Sequence, residues 1–404
     1  MLPLEGIKVV DLSTWIFAPV CAATLGDWGA EVIKIEDPQT GDVFRWFLMA
    51  VGIDESEVPV TLFGMDNRNK RGMAIDLKQP EGRDIVYKLI EDADVFVSNV
   101  PTESLKGLEL DYERLSAINP RLIYAHASGY GDKGPDVNKP GFDATAYWAR
   151  GGLMGGLAVG GQPPVSQQYA GMGDQVSGLA LFGGVLLALY NREKTGKGQQ
   201  VDLSLLGVGT WVTACPIQMA LSLDEEPPRW ERHEIRNPLL CYYKTKDDKW
   251  IYIVCLPDEP YWTPLCKAIG RPDLEHDPKF NTRDNRLENN IELISILDGV
   301  MATKTIDEWG KLFDEHGIVW THIPTTFGEI TKDPQVLAND IIVEVEHPTY
   351  GPVKMVNTPI RLNKEAPKIR RIAPEIGQHN EEILLEKGYT WEDIAKLQDK
   401  GVIP

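Results

Sequence analysis

No G-x-G-x-x-G and no Walker A run occurs in this chain of 404 residues. Its first apolar run is followed by Ser13-Thr14-Trp15-Ile16-Phe17-Ala18-Pro19, whose bulky side chains would hold a pyrophosphate off the backbone and argue against an NAD or FAD enzyme. Cysteine is scarce. Cys21, Cys215, Cys241, Cys255 and Cys266 form an odd set without a C-x-x-C pair, so neither a disulfide framework nor a structural zinc is expected. The seven histidines lack ligand spacing, and no metal site is expected. Positive charge is also short: 41 Lys and Arg against 60 Asp and Glu leave a net charge of -19, which opposes binding to nucleic acid or an anionic membrane. Any phosphate-bearing ligand must therefore meet local cations. The amino terminus has no basic segment ahead of an apolar one, so no signal peptide is expected, and free thiols suit a reducing cytoplasm. The apolar stretch 176–190 is too short to span a bilayer, and 205–223 carries Thr210, Thr213, Pro216, Gln218 and Ser222. Both are expected to be buried helices.

What the chain does have is alternation. Residues 7–12, 32–35, 73–75, 95–97 and 122–125 read as strands, with helices at 18–28, 80–90 and 112–118 between them. Such an α/β order predicts a doubly wound parallel sheet, and a ligand beyond the carboxyl ends of its strands. A charged, proline-bearing stretch at 224–232 reads as a linker. After it, 240–244 and 250–254 read as a β-hairpin followed by helices, among them 291–301 and 306–313. Residues 347–377 read as a second long connection, and Thr390 with Asp393 as a capping box. The domain order expected is 1–205 (first part of a large domain), 206–235 (linker), 236–325 (small α+β domain), 326–375 (return linker) and 376–404 (helices rejoining the large domain).

Asp174, in Gly171-Met172-Gly173-Asp174-Gln175-Val176-Ser177-Gly178, stands just ahead of a long apolar run. Locally it reads as a helix N-cap, its carboxylate accepting a free amide of the first turn. Asn67-Arg68-Asn69-Lys70-Arg71-Gly72 reads either as a solvated turn before a strand or as the approach to a cation, Lys78, that meets a phosphate. Thr195-Gly196-Lys197-Gly198-Gln199 reads as a helix end with a glycine turn.

Taken in order, residues 6–12, 29–36, Asn69-Lys70-Arg71, Gly129-Tyr130-Gly131, Gly173-Asp174, 195–199 and Gly377-Gln378-His379 resemble the family III CoA-transferases, the group of formyl-CoA and carnitine CoA-transferases. The resemblance implies an interlocked homodimer whose subunits have a large Rossmann-like domain and a smaller middle domain. It implies Asp174 as the covalent nucleophile and a coenzyme A thioester as substrate, with no tightly bound cofactor. The positions matching its CoA contacts are Ile16, Phe17, Ile75, Lys78, Asn99 and Val100, with Lys106 and Lys139 near two further basic positions; Asp37 replaces another basic one. A helix N-terminus would favour the anionic form of Asp174. α-Methylacyl-CoA racemases share the fold and use a His-Asp pair, but Phe142 falls where the histidine would be, and it cannot titrate. A third reading is a non-catalytic CoA-binding partner of a dehydratase system.

Within the family, Pro140-Gly141-Phe142-Asp143, Ala149-Arg150-Gly151-Gly152, Asn237-Pro238 and Lys246-Asp247-Asp248 look most like the phenyllactate and 2-hydroxyisocaproate CoA-transferases of amino-acid fermentation. That likeness implies an (R)-2-hydroxy acid acceptor and an acyl- or enoyl-CoA donor. Trp15, Ile16, Phe17, Trp46, Phe47 and Phe142 would make an apolar substrate pocket, with Trp15 and Phe142 its leading members. The glycine-rich stretch 151–161 is expected in the large domain.

Overall fold

Strands buried on both faces belong in the middle of a covered parallel sheet. In the computed structural model, which describes residues 2–54, 58 and 60–404, five such strands lie side by side: β1 (Lys8–Leu12), β2 (Glu31–Glu36), β3 (Lys70–Ala74), β4 (Val95–Ser98) and β5 (Ile123–Ser128). A sixth, β6 (Gln199–Ser204), completes the order β3-β2-β1-β4-β5-β6, every neighbouring pair parallel. The order reverses between β1 and β4, the switch point at which such sheets open a crevice. The sequence reading missed β6. Its side chains alternate in burial and are mostly polar, as at an edge, so it lacks the apolar run that marked the others.

Helix Phe17–Asp27 packs on the 24-residue helix Met172–Thr195, and the approach is close because Gly178 has no side chain: a Cβ there would lie 2.5 Å from Cγ1 of Val20. Met172–Thr195 is longer than the apolar stretch 176–190, and long and apolar enough to cross a bilayer. Its Ser177, Gly178, Leu181, Phe182, Val185 and Leu189 are buried in the core. The segment 205–223 departs from expectation. It forms helices Leu205–Val212 and Ala214–Leu223, the second with no buried residue, and Trp211 is 78% exposed.

The charged run 67–71 is not a solvated turn. All five residues are buried, and each cation is paired with carboxylates, Lys70 and Arg68 with buried ones and Arg71 with ones at the surface. Lys70 Nζ donates to Asp11 Oδ2 (2.8 Å), Asn67 Oδ1 (2.8 Å) and the Pro19 carbonyl (3.0 Å), filling all three donor positions. Arg68 forks onto Asp27, and Arg71 reaches Glu31, Glu382 and Glu386. Burial pushes the Lys70 ammonium down to about 8. Removing one member of such a pair strands the other: Lys70→Met is expected to cost about 3–5 kcal/mol in urea unfolding, and adding Asp11→Asn to recover part of it.

One compact unit runs from the start of the chain to Leu157 and includes Pro164–Glu225 and Leu337–Pro404; the other comprises Ala158–Pro163 and Glu226–Val336. The end of the glycine-rich stretch, residues 158–161, therefore groups with the smaller unit and not with the large domain where the sequence placed it. In that unit, β7 (Leu240–Lys244) and β8 (Trp250–Val254) form the expected hairpin, and β9 (Trp320–Ile323) extends it into a three-stranded antiparallel sheet. Helices Glu259–Ala268, Asn290–Met301 and Ile306–Glu315 supply its core with Trp262, Leu293 and Trp309. In the larger unit, the stretch read as a connection contains a second hairpin, β10 (Ile342–His347) with β11 (Gly351–Val356). Thr390 and Asp393 form the reciprocal capping box read from the sequence.

Candidate active site

The loop from β1 to the following helix is held along its backbone by buried side chains. Lys34 Nζ donates to the Ser13 carbonyl (2.8 Å) and to Asp42 Oδ2 (3.0 Å); Asp42 Oδ1 in turn accepts the Trp15 amide (3.0 Å). Asn99, just past β4, brackets Thr14, accepting its amide at 2.9 Å and donating to its carbonyl at 2.7 Å. Trp15 has φ 66°, a left-handed conformation costly for a bulky residue, and these bonds over-determine it. The loop's shape is thus set before any ligand arrives.

Below the loop, at the carboxyl ends of β1 to β4, lies a cavity of about 230 Å³ lined by residues that include Thr14, Glu36, Asp37, Ile75, Lys78 and Val100. Lys78 is its single lining cation, among four lining carboxylates, Glu36, Asp37, Asp42 and Asp76. Asp37 accepts the amides of Gln39 and Thr40 (both 2.9 Å), which hold its carboxyl below the usual range against the opposing effect of burial.

Beyond the loop, Ile16 abuts the start of helix Met172–Thr195: a Cβ on Gly171 would lie 2.8 Å from its Cδ1. Gly171, at φ 87°, is the N-cap, so Asp174 is the third residue of the helix and not its cap. The capping carboxylate comes from elsewhere. Asp143, at the head of the π-helical stretch Asp143–Arg150, accepts the Gly171 amide at Oδ2 (2.8 Å) and the Gly173 amide at Oδ1 (3.2 Å), while Gln167 Nε2 donates to Oδ2 (2.7 Å). Gly173 has to be glycine here, since a Cβ would fall 2.3 Å from Asp143 Oδ1 and from the Tyr147 ring. The amides of Met172 and Asp174 have no acceptor among the described residues, leaving two first-turn donors open.

The Asp174 carboxyl makes no hydrogen bond to any described residue. Burial, then the charges of Asp143 and Asp66, push its carboxyl up to about 7. The helix terminus therefore does not keep it anionic as expected: desolvation and the two neighbouring carboxylates prevail over the dipole at Asp174. Asp66, at the end of helix Leu62–Asp66, is pushed up to about 6 by burial. Among the described residues, no group of three His, Cys, Asp or Glu side chains is placed to hold a metal ion.

The aromatic residues gather beside this helix start. Trp15 meets Phe142 edge-on at 5.9 Å between centroids, Phe44 at 6.1 Å and Phe47 at 6.4 Å. Trp46 bonds the Thr40 carbonyl instead, and Phe44 takes the place the sequence reading had given it. Of the other residues singled out by sequence, Ile75, Lys78 and Val100 share the cavity, Asn99 fastens the loop, and Phe17 is buried in the core. Lys106 is exposed and paired with Glu103 at 3.0 Å, and Lys139 lies over the Tyr130 ring beside Arg150; neither lines the cavity. Lys34, Asp42, Asp66 and Asp143 went unassigned because their partners lie 8 to 109 residues away in sequence, and no local pattern signals such pairing.

Residues 4–380 match the family described as CoA-transferase family III. The chain is 37% identical to (R)-2-hydroxy-4-methylpentanoate CoA-transferase of Clostridioides difficile, with 99% of each chain covered. It is 34% identical to cinnamoyl-CoA:phenyllactate CoA-transferase of Clostridium sporogenes, covering 99% of this chain and 97% of that one. A solved CAIB/BAIF family protein from Brucella suis matches with a TM-score of 0.82 at 28% identity, over 96% of this chain and 99% of that one. Likeness at this level from one end of the chain to the other, on a sheet with a cavity at its switch point, means that the chain belongs to CoA-transferase family III.

Proposed function

We propose that Asp174 carries the coenzyme A moiety through an aspartyl-CoA thioester, from an acyl- or enoyl-CoA donor to an (R)-2-hydroxy acid such as 2-hydroxyisocaproate or phenyllactate. The observation that carries the reading is Asp174 itself: an unbonded carboxylate in the first turn of a helix, beside two open backbone amides. Its oxygen attacks the donor thioester carbonyl, and the C–S bond breaks to give a mixed anhydride and CoA thiolate. The thiolate then attacks the Asp174 carbonyl carbon, forming the aspartyl thioester and releasing the donor's acid as carboxylate. The acceptor carboxylate attacks that thioester, regenerating a mixed anhydride and thiolate. Attack of the thiolate on the acceptor's acyl carbon yields the new thioester and frees Asp174, with no net proton or water consumed. The Met172 and Asp174 amides are suited to stabilise the oxyanions of these steps. The cavity at β1 to β4 would take the nucleotide end of CoA, with Lys78 as its cation.

Two features favour a monocarboxylic, apolar acceptor. Trp15, Phe44, Phe47 and Phe142 supply an apolar wall, and Phe142 is 53% exposed. The neighbouring cations Lys34, Arg45, Arg68 and Lys70 are already paired with Asp42, Glu36, Asp27 and Asp11, so none of these four is free for a second carboxylate on the acceptor. The exposed Trp211, Val212, Met219, Leu221 and Leu223 support the interlocked homodimer as what covers helices Leu205–Val212 and Ala214–Leu223. Five free thiols suit a cytoplasmic enzyme.

Incubation with 4-methylpentanoyl-CoA or cinnamoyl-CoA and hydroxylamine, followed by peptide mass spectrometry, should place a hydroxamate on Asp174; a label elsewhere, or none, refutes the mechanism. In an acceptor panel, 2-hydroxyisocaproate and phenyllactate should exceed malate and glutarate by about tenfold or more in kcat/KM. Preference for a dicarboxylate would overturn the substrate reading alone.

A further inference from the structure

Asp66 is a buried carboxylate that the reaction above does not use. It is 1% exposed, and its Oδ1 accepts a 2.8 Å hydrogen bond from Nε2 of Gln175, the residue that follows Asp174 in the chain. Its Oδ2 is buried with no hydrogen-bond partner among the described residues. The cations next to it in sequence make no ion pair with it, since Arg68 is bonded to Asp27 and Lys70 to Asp11. A carboxylate left this way destabilises the fold, and an apolar residue would fill the same place at the end of the short helix at lower cost. The one specific contact it makes leads to the first turn of the helix that carries Asp174.

We infer that Asp66, tethered through Gln175, is a positioning residue that sets the charge state of Asp174 and so the pH at which CoA transfer begins. The inference rests on Asp174 being the nucleophile. An anionic Asp66 repels charge on Asp174, which keeps the proton on that carboxyl to higher pH. The groups that act on the pair come from several elements. Asp174 feels Asp143 from the π-helical stretch and Asp66 from helix Leu62–Asp66. Asp66 feels Gln175 from the long helix, Arg68 and Lys70 from the run into β3, and Asp42 from the loop after β2.

The test is the pH dependence of kcat/KM for the CoA donor in the wild-type protein, Asp66→Asn and Gln175→Met, with hydroxylamine trapping of Asp174 at pH 8 in each. Asp66→Asn removes the charge. Gln175→Met removes the bond that favours it, which raises the Asp66 pKa and weakens the charge in the same direction. The wild-type acid limb is expected near pH 7. In both variants it should move down by about one unit, so that at pH 6 they keep roughly fivefold more of their plateau rate. A lowered plateau with an unmoved limb would show that Asp66 and Gln175 only hold the helix in place, and would overturn the inference, as would an upward shift. Should Asp66→Asn fail to fold, Gln175→Met decides alone, because it leaves the buried site filled. Failure to trap Asp174 in the wild-type protein would instead refute the nucleophile, whatever the limb does.

Discussion

Asp174→Asn is expected to abolish CoA transfer, by at least about 10⁴-fold in kcat, while making the protein more stable above neutral pH. The loss follows from the chemistry: an amide oxygen neither displaces a thiolate nor forms a thioester, so no partial pathway remains. The gain follows from linkage. The Asp174 carboxyl is pushed up to about 7 in the fold, against 3.8 for a free aspartate. The native state therefore binds more protons than the unfolded one between those pH values, and stability falls as pH rises through that window. Below about pH 4 both states are protonated and the penalty is absent; above pH 7 it is present in full. Asparagine, which is neutral throughout, escapes it. Urea unfolding at pH 8 should show the variant ahead by on the order of 2–4 kcal/mol, with the gap closing as pH falls toward 4. An equal stability at pH 8 would mean that Asp174 is not held up by its surroundings. The site is thus a place where the fold gives up stability to keep a desolvated carboxylate beside two others.

The second large effect is expected at Asp143. Asp143→Ala strands the amides of Gly171 and Gly173 inside the protein and releases Gln167, with an expected cost of about 2–4 kcal/mol for the lost cap and unsatisfied donors. It should also lower kcat by about 10²–10³-fold, because the helix start that aims Asp174 loses its anchor. Asp143→Asn keeps one acceptor oxygen and should fall between alanine and wild type in both measures. A merely electrostatic role would make asparagine and alanine equivalent, and that outcome in parallel unfolding and rate measurements would overturn the capping account. Because Asp143 also raises the Asp174 pKa, its acid limb should move down along with the loss of rate, which sets it apart from Asp66, where the limb moves and the plateau is expected to hold.

Much of the architecture was legible because it is written in short-range pattern. β1, β2, β4 and β5 show as apolar runs, β3 shows only at its end because it opens on Lys70-Arg71, and β7 and β8 were read with their observed ends because a charged turn separates two strongly β-forming segments. Helix Pro80–Ile90 was equally plain, with proline in its first turn and an amphipathic repeat. β6 was not, since an edge strand with alternating polar residues resembles a loop until β5 pairs with it. The β10–β11 hairpin was hidden in the same way by proline and charge. Cations misled where they were numerous: Asn67 to Arg71 looks like surface because such residues are mostly exposed, and only the presence of Asp11, Asp27, Glu31 and Glu382 across the fold makes their burial affordable.

By itself the sequence determined the class of the protein and the identity of the residue on which its chemistry is proposed to turn. Ordered motifs along the whole chain pointed to family III CoA-transferases and to Asp174, because strand and helix periods and glycine-bounded motifs are local properties of the chain. The tertiary structure alone decided what kind of carboxylate Asp174 is. Read locally it was a helix cap and an anion. In the fold the cap is Asp143, brought from 28 residues away, and Asp66 arrives from more than a hundred residues upstream to face the same helix turn. Burial and the field of charges are sums over everything nearby in space, so no window of sequence contains them.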